Sequence, residues 1–423
     1  MNVTLAYGRS GLRVDLPDST RVIRSRYVPG VAGEVAALRH ALRHPIAGPP
    51  LADQVRPGDT AVVVHSDITR ATPNDRILPV LLAELEAAGV RRQDITLLNA
   101  LGTHRRQTEA ELRQMLGDAV VDNYRCEQHD ACDDANLVTM GVTRRDNPVR
   151  LNRRLVEADV KILTGFIEPH FFAGFSGGPK AVLPALAGAE SVLSNHGRAM
   201  IADPRATWGV TAGNPIWEEM LEVAAMAAPT FLLNVALNAD KQITGVFAGE
   251  LAAAHAAGCA FVKRSAMVHV NQAYDIVVTT NSGYPLDQNL YQCVKGMSAA
   301  AQIVRPGGAI VLAGACEDGI PDHGRYADLL AQGGSPQGVL DLLAQPGFAA
   351  QDQWQVQVQA QIQLHAEVHV YSDGLSNGQI RQALFTPCRD VAATVARLQH
   401  ELGRPARICA LPEGPLTVAY VGG

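Results

Sequence analysis

Six side chains stand out from an otherwise apolar chain by lying in short polar or glycine-rich stretches. They are Asp67 and Arg70 in "SDITRATP", His104 in "LGTHR", His170 and Lys180 in "GFIEPHFFAGFSGGPK" (residues 165–180) and His196 in "SNHG". Imidazoles titrate near neutrality, so one histidine can remove a proton while another holds one. An arginine fork grips a carboxylate through two parallel hydrogen bonds. Residues 165–180 hold four glycines and four phenylalanines, a make-up that brings backbone close to a flat, charged ligand. The chain has only five lysines, Lys161, Lys180, Lys241, Lys263 and Lys295, and elsewhere uses arginine as its cation. A lysine in such a loop therefore reads as wanted for its amine. Together these residues describe a cofactor-using enzyme acting on a small anionic substrate.

Familiar motifs do not account for the loop. In "GFSGGPKA", Pro179 and Ala181 stand where a phosphate-cradling P-loop needs Gly before the lysine and Ser or Thr after it. No G-x-G-x-x-G opens the first strand-to-helix turn, which argues against a nicotinamide dehydrogenase. A pyridoxal phosphate Schiff base on Lys180 stays open, because it needs the same accessible amine. The seven cysteines (126, 132, 259, 293, 316, 388 and 409) form no C-x-x-C pair. Their odd, dispersed count argues for reduced thiols and against a zinc site.

The elements that must position these residues follow a βαβ rhythm. "TAVVVH" (60–65), "DITLLNALGTH" (94–104) and "DVKILTG" (159–165) read as buried strands, with helices "NDRILPVLLAELEAAGV" and "TEAELRQML" between them. Ligands of parallel sheets bind at the carboxyl ends of strands, where Asp67, Arg70 and His104 fall. "TFLLNVALN" and "ITGVFAG" suggest a later strand pair. From about Tyr274 the pattern restarts with strand "YDIVVTTN", helix "NLYQCVKGMSAAAQIV", and strands "GAIVLAG", "AEVHVYS" and "ARICALP". The expected fold is α/β with mainly parallel sheets, divided into residues 1–272 and a smaller unit, 273–423. The glutamine-rich "QDQWQVQVQAQIQL" reads as an exposed helix.

Composition narrows the function. With 423 residues, 47% apolar and a net charge of -6, the chain carries no electrostatic footprint for nucleic acid. No apolar run reaches the roughly 20 residues that span a bilayer, and the start lacks a basic, then apolar, leader. A cytoplasmic protein is expected.

The motifs "SDITRATP", "LGTHR", "GFIEPHFFAGFSGGPKAVLPALAG", "SNHG" and "LYQCVKG", in this order, resemble the lactate racemase family, which uses a nickel-pincer nucleotide. The likeness runs through most of the chain. It implies two α/β domains with the cofactor in the cleft between them. It implies that Lys180 binds the cofactor's pyridinium ring covalently through a thioamide, and that His196 completes nickel coordination beside the sulfur–carbon–sulfur pincer. Soft sulfur donors with one imidazole suit square-planar nickel. By the same resemblance His104 and His170 are the paired acid and base. Asp67, Gly177, Gly178 and Tyr291 lie against the cofactor, and Arg70, Gln292 and Lys295 meet the substrate. Dedicated maturation proteins would supply the cofactor.

The implied reaction is racemisation or epimerisation of a small 2-hydroxy acid by reversible hydride transfer to the bound cofactor. Such chemistry avoids a C2 carbanion, for which a carboxylate is a poor sink. A larger or dicarboxylic acid such as malate would need a second cation, with Arg105, Arg106 and Arg325 as candidates. The stretch "CEDGIPDHGRYADLL" departs from the glycine- and aromatic-rich pattern of simple lactate racemases and leaves the substrate open. Two other classes also remain: a nickel- or cofactor-binding protein without turnover, and a pyridoxal phosphate enzyme.

Overall fold

The computed structural model describes residues 1–322 and 324–422. The chain separates into two compact units. The N-terminal unit comprises Tyr27–Asn195 and Arg205–Lys263; the C-terminal unit comprises Met1–Arg26, His196–Pro204 and Arg264–Gly423. A single cut near residue 272 thus gives way to several crossings, because the first 26 residues and a short run starting at His196 fold with the C-terminal unit.

The N-terminal unit is built on a six-stranded sheet. Its strands are β1 (Ala61–Ser66), β2 (Ile95–Ala100), β3 (Arg125–Gln128), β4 (Val160–Phe166), β5 (Phe231–Leu237) and β6 (Ile243–Gly249), in the order β6-β5-β4-β1-β2-β3. All neighbours are parallel except the β5/β6 pair. Strand β1, "AVVVHS", is buried along nearly its whole length, as expected for a β-branched run covered on both faces. Helices α1 (Asn74–Ala87), α2 (Pro215–Ala227) and α3 (Leu251–Ala266) belong to this part of the chain. Leu78, Leu81 and Leu85 of α1 join Val63, Ile162 and Leu233 of the sheet in one core. Each such side chain contributes roughly 1.5–3 kcal/mol on burial. Asn214 starts α2 by accepting the Ile216 and Trp217 amides at 3.0 and 3.3 Å, with Pro215 in the first turn.

The strand order reverses between β1 and β4. Chain growth runs from β1 to β2 and β3 on one side, and to β4, β5 and β6 on the other. The crevice beyond the carboxyl ends at such a reversal is where open α/β sheets take ligands.

The C-terminal unit holds a second six-stranded sheet, parallel throughout. It contains β7 (Tyr274–Thr280), β8 (Val304–Ala313), β9 (Ala366–Tyr371), β10 (Thr386–Pro387) and β11 (Ile408–Leu411), in the order β10-β9-β8-β7-β11, with Arg21–Val22 as the last edge. Helix α4 (Leu290–Ala301) starts at Asn289, whose side chain accepts the Gln292 amide at 3.0 Å. Helix α5 (Gln353–His365) is the glutamine-rich segment. It is helical as expected, but its first eight residues are all buried, which corrects the reading of an exposed helix. Among the described residues no helix is long and apolar enough to cross a membrane.

Candidate active site

Three neighbouring strands of the N-terminal unit end in the loops that carry its site residues. Beyond β1 the chain turns back on itself at Asp67. One carboxylate oxygen accepts the Thr69 amide at 3.1 Å and its hydroxyl at 2.6 Å, while Thr72 and Asn74 donate to Ser66 at 2.9 and 3.1 Å. The other Asp67 oxygen meets His104 Nδ1 at 2.5 Å. Burial alone would raise the Asp67 pKa. The His104 ring, the Arg70 guanidinium and the Thr69 hydroxyl outweigh it and hold the carboxyl at about 2. An ionised carboxylate only accepts, so His104 Nδ1 carries the hydrogen of this bond, and when the ring is neutral its lone pair lies on Nε2. Arg70 is half-buried, and its charge helps to keep Asp67 ionised.

Beyond β4 the loop of residues 165–180 folds tightly. Pro169–His170 pairs antiparallel with Gly174–Phe175. His170 is 7% exposed and sits against Phe171 and Phe172, with ring centroids 4.9 and 4.6 Å away. The Ala173 amide donates to His170 Nδ1 at 3.3 Å, so a neutral ring carries its hydrogen on Nε2.

Gly177 and Gly178 take φ of +74° and +55°. A Cβ on Gly177 would lie 2.5 Å from Asn234 Oδ1, and one on Gly178 would lie 2.5 Å from the His255 ring. Only glycine suits both the dihedral angles and the space. Asn234, on β5, accepts the Gly178 amide at 2.8 Å, and His255, on α3, meets the Ser176 carbonyl through Nε2 at 3.0 Å. Burial pushes His255 down to about 4, which keeps it neutral and makes Nε2 the donor. Ser176 Oγ accepts the Glu168 amide and donates to the Phe166 carbonyl, both at 2.9 Å. This backing presents Lys180 half-buried on a short 3-10 turn, its Nζ 5.7 Å from the Phe172 ring centre. The arrangement fits a flat cofactor joined to an accessible amine: rigid glycine backbone, aromatic lining and a primary amine at the loop's end.

Asn234 and His255 went unrecognised as supports of this loop in the sequence reading. The signals were present: a lone amide inside "FLLNVAL" and a lone imidazole inside "AAAHAAGCA".

The remaining expected residues lie in the C-terminal unit. His196, 4% exposed, packs edge-on against Trp354 with centroids 5.2 Å apart, and its carbonyl accepts from Gln353 Nε2 at 3.3 Å. Tyr291, Gln292 and Lys295 stand on the first turns of α4, Tyr291 and Lys295 one turn apart on the same face. Tyr291 accepts from Trp354 Nε1 at 3.1 Å and packs edge-on against Tyr326. The structure thus gathers Asp67, Arg70, His104, His170, Gly177, Gly178 and Lys180 at one end of one sheet. It sets His196, Tyr291, Gln292 and Lys295 in the other unit. Among the described residues no cluster of three or more His, Cys, Asp or Glu could hold a metal alone, so a metal at His196 would draw most of its donors from a cofactor.

A mainly parallel α/β sheet with polar loops at a topological reversal defines the class, and comparison with known proteins gives the family. Residues 7–209 match the lactate racemase N-terminal domain and residues 269–419 the lactate racemase C-terminal domain. The lactate racemase of Thermoanaerobacterium thermosaccharolyticum is 34% identical over 420 residues, covering 98% of each chain. That of Lactiplantibacillus plantarum is 35% identical over 383 residues, covering 90% of each. The structure of the T. thermosaccharolyticum lactate racemase apoprotein superposes with a TM-score of 0.92 at 33% identity, covering 99% of this chain and 100% of that one. A Thermotoga maritima protein shares the fold alone, with a TM-score of 0.71 at 17% identity over 94% of this chain and 100% of its own. The chain belongs to the lactate racemase family and is an isomerase of the racemase type.

Proposed function

We propose that the protein racemises lactate, or a close 2-hydroxy monocarboxylate, with a nickel-pincer nucleotide joined to Lys180 and with its nickel held by His196. When bound, that group supplies a reversible acceptor for the C2 hydride. The chain's own residues do the rest. Arg70, beside a carboxylate already claimed by His104, offers its fork to the substrate carboxylate. His104, with its lone pair at Nε2, takes the hydroxyl proton of one enantiomer. His170, in its imidazolium form, returns a proton to the substrate oxygen once the planar keto acid has turned its other face, and is left neutral. The reverse reaction exchanges these roles, so racemisation needs both rings. The observation that supports the reading is that two imidazoles, one bonded to the Asp67 carboxylate and one packed in the glycine- and phenylalanine-rich loop, stand on loops at the same end of one sheet.

A monocarboxylate is favoured over malate by the state of the extra cations. Arg105 is held by both oxygens of Glu111 at 2.9 and 2.6 Å, and Arg325 lies 3.6 Å from Asp328. Arg106 opens onto a depression of about 330 Å³ that also contains Glu127, Asp130 and Asp133. None is a cation reserved for a second carboxylate. We place loading of the cofactor in the cytoplasm, by maturation proteins. The test uses protein from cells that make the cofactor and one enantiomer of 2-deuterated lactate. Racemisation with the label kept at C2 supports the reading; washout into solvent means a carbanion route. Loaded protein that scrambles no 2-hydroxy acid is a carrier, and a borohydride-reducible Schiff base without nickel is a pyridoxal enzyme.

A further inference from the structure

Helix α5 carries glutamine at every second position from 353 to 363. On a strand this spacing would put all six on one face. On a helix, residues two apart point about 200° away from each other, and residues four apart share a face. The glutamines therefore form two opposed rows, 353/357/361 and 355/359/363.

The rows have different tasks. In the first, Gln353 Nε2 donates to the His196 carbonyl at 3.3 Å and Gln357 Nε2 to the Arg198 carbonyl at 2.9 Å. In the second, Gln355 Nε2 donates to the Tyr291 carbonyl, Gln359 Nε2 to the Ala383 carbonyl at 2.8 Å and Gln363 Nε2 to the Leu384 carbonyl at 2.7 Å. Gln353, Gln355, Gln357 and Gln359 are each 4% exposed or less. An amide buried at that depth is costly unless its donors are used. Here they are spent on backbone carbonyls, which a glutamine can reach without bringing a charge.

We propose that Gln353 and Gln357 are positioning residues for the metal-holding imidazole. They tie the backbone at His196 and Arg198 to α5, so His196 is carried by the C-terminal unit although the preceding residue, Asn195, is bound to the N-terminal one. Asn195 Nδ2 donates to Glu219 at 2.8 Å and to the Ile216 carbonyl at 3.2 Å, both on α2. The opposite row fixes Tyr291 through Gln355, so one helix sets the backbone of two site residues. This inference rests on the assignment of nickel to His196.

The experiment compares Gln357→Leu and Gln353→Leu with Gln363→Leu, which removes an amide from the opposite row. Intact mass reads the covalent adduct, and transfer of nickel to a chelator reads the metal's hold. Hydrogen exchange of residues 196–202 in unloaded protein reads the segment itself. Gln357→Leu is expected to keep the wild-type adduct mass, release nickel about tenfold faster and exchange the 196–202 amides faster. Gln363→Leu, at similar melting temperature, is expected to match wild type in all three. A folded Gln357→Leu with wild-type nickel release and exchange overturns the proposal; if that variant does not fold, Gln353→Leu decides by the same readings. A wild-type protein that carries the adduct but holds nickel equally well after His196→Ala overturns the metal assignment, and this proposal with it. In that case exchange at 196–202 in Gln357→Leu still reports whether α5 holds the segment.

Discussion

The loops that carry His104 and His170 leave neighbouring regions of one sheet and solve the same problem by different means. His104 has a side chain 41% exposed and is held by a single carboxylate that is 2% exposed. His170 is buried among phenylalanines in a loop braced by backbone contacts, Ser176, Asn234 and His255. One ring is placed by charge and the other by shape. The difference teaches that two imidazoles at one end of a sheet can be fixed by unlike supports, one ionic and one steric. It also means that the two loops should fail under different insults.

The largest effect comes from removing either ring. His104→Ala and His170→Ala should each slow lactate racemisation by about 10²–10⁴, with adduct mass and nickel content as in wild type. Chiral chromatography measures the rate, and near-wild-type racemisation by either variant would break the pairing. Asp67→Asn should come next. It keeps the shape but replaces an ionic acceptor by a neutral amide that can also turn its NH₂ toward the ring. Losing a charged hydrogen bond of about 1.5–3 kcal/mol predicts a rate roughly 10- to 100-fold lower. The hydrogen exchange of residues 165–180 should not change. If that loop loosens as well, the two supports are not separate.

Gly178→Ala attacks the other loop. Its Cβ would meet the His255 ring at 2.5 Å with φ at +55°, so the variant should lose about 1–3 kcal/mol of stability. Thermal unfolding measures this. His255→Ala in the same chain should recover part of the steric loss but leave the Ser176 carbonyl without its donor. Full recovery would mean that His255 only fills space behind the loop.

Much of this was legible in the sequence because its physics is local. β-branched apolar runs of strand length, each followed by a polar loop and a helix, give β1, β2 and β4, and the strand ends then locate Asp67, Arg70 and His104. The glycine and phenylalanine content of 165–180 marks a tight loop without any long-range information. Three features were not legible. The crossing at Asn195 and His196 depends on which unit supplies hydrogen-bond partners, Glu219 on one side and Gln353 on the other. Burial of α5 was hidden because glutamine reads as solvent-facing; its partners, the Tyr291, Ala383 and Leu384 carbonyls, come from distant segments. The supports at Asn234 and His255 lie about 60 and 80 residues beyond the loop they hold, and only the fold brings them behind it.

The smallest effect is a dependence on acid that should belong to the charge-held loop alone. Asp67 is held at about 2, against an ordinary value of 3.8. The folded form binds this proton more weakly than the unfolded form, so acid favours unfolding. The carboxylate's contribution is complete above the ordinary value and is lost as pH falls through about 2. The shift corresponds to about 2 kcal/mol in all, of which about 1 kcal/mol should be gone by pH 3. Urea unfolding of unloaded protein at pH 6 and pH 3 measures it. Wild type should lose about 1 kcal/mol more than Asp67→Asn over that interval, because the amide has no proton to take up. Gly178→Ala, whose defect is steric, should lose as much as wild type. Equal losses in wild type and Asp67→Asn would mean that His104 is placed by something other than the charge of Asp67.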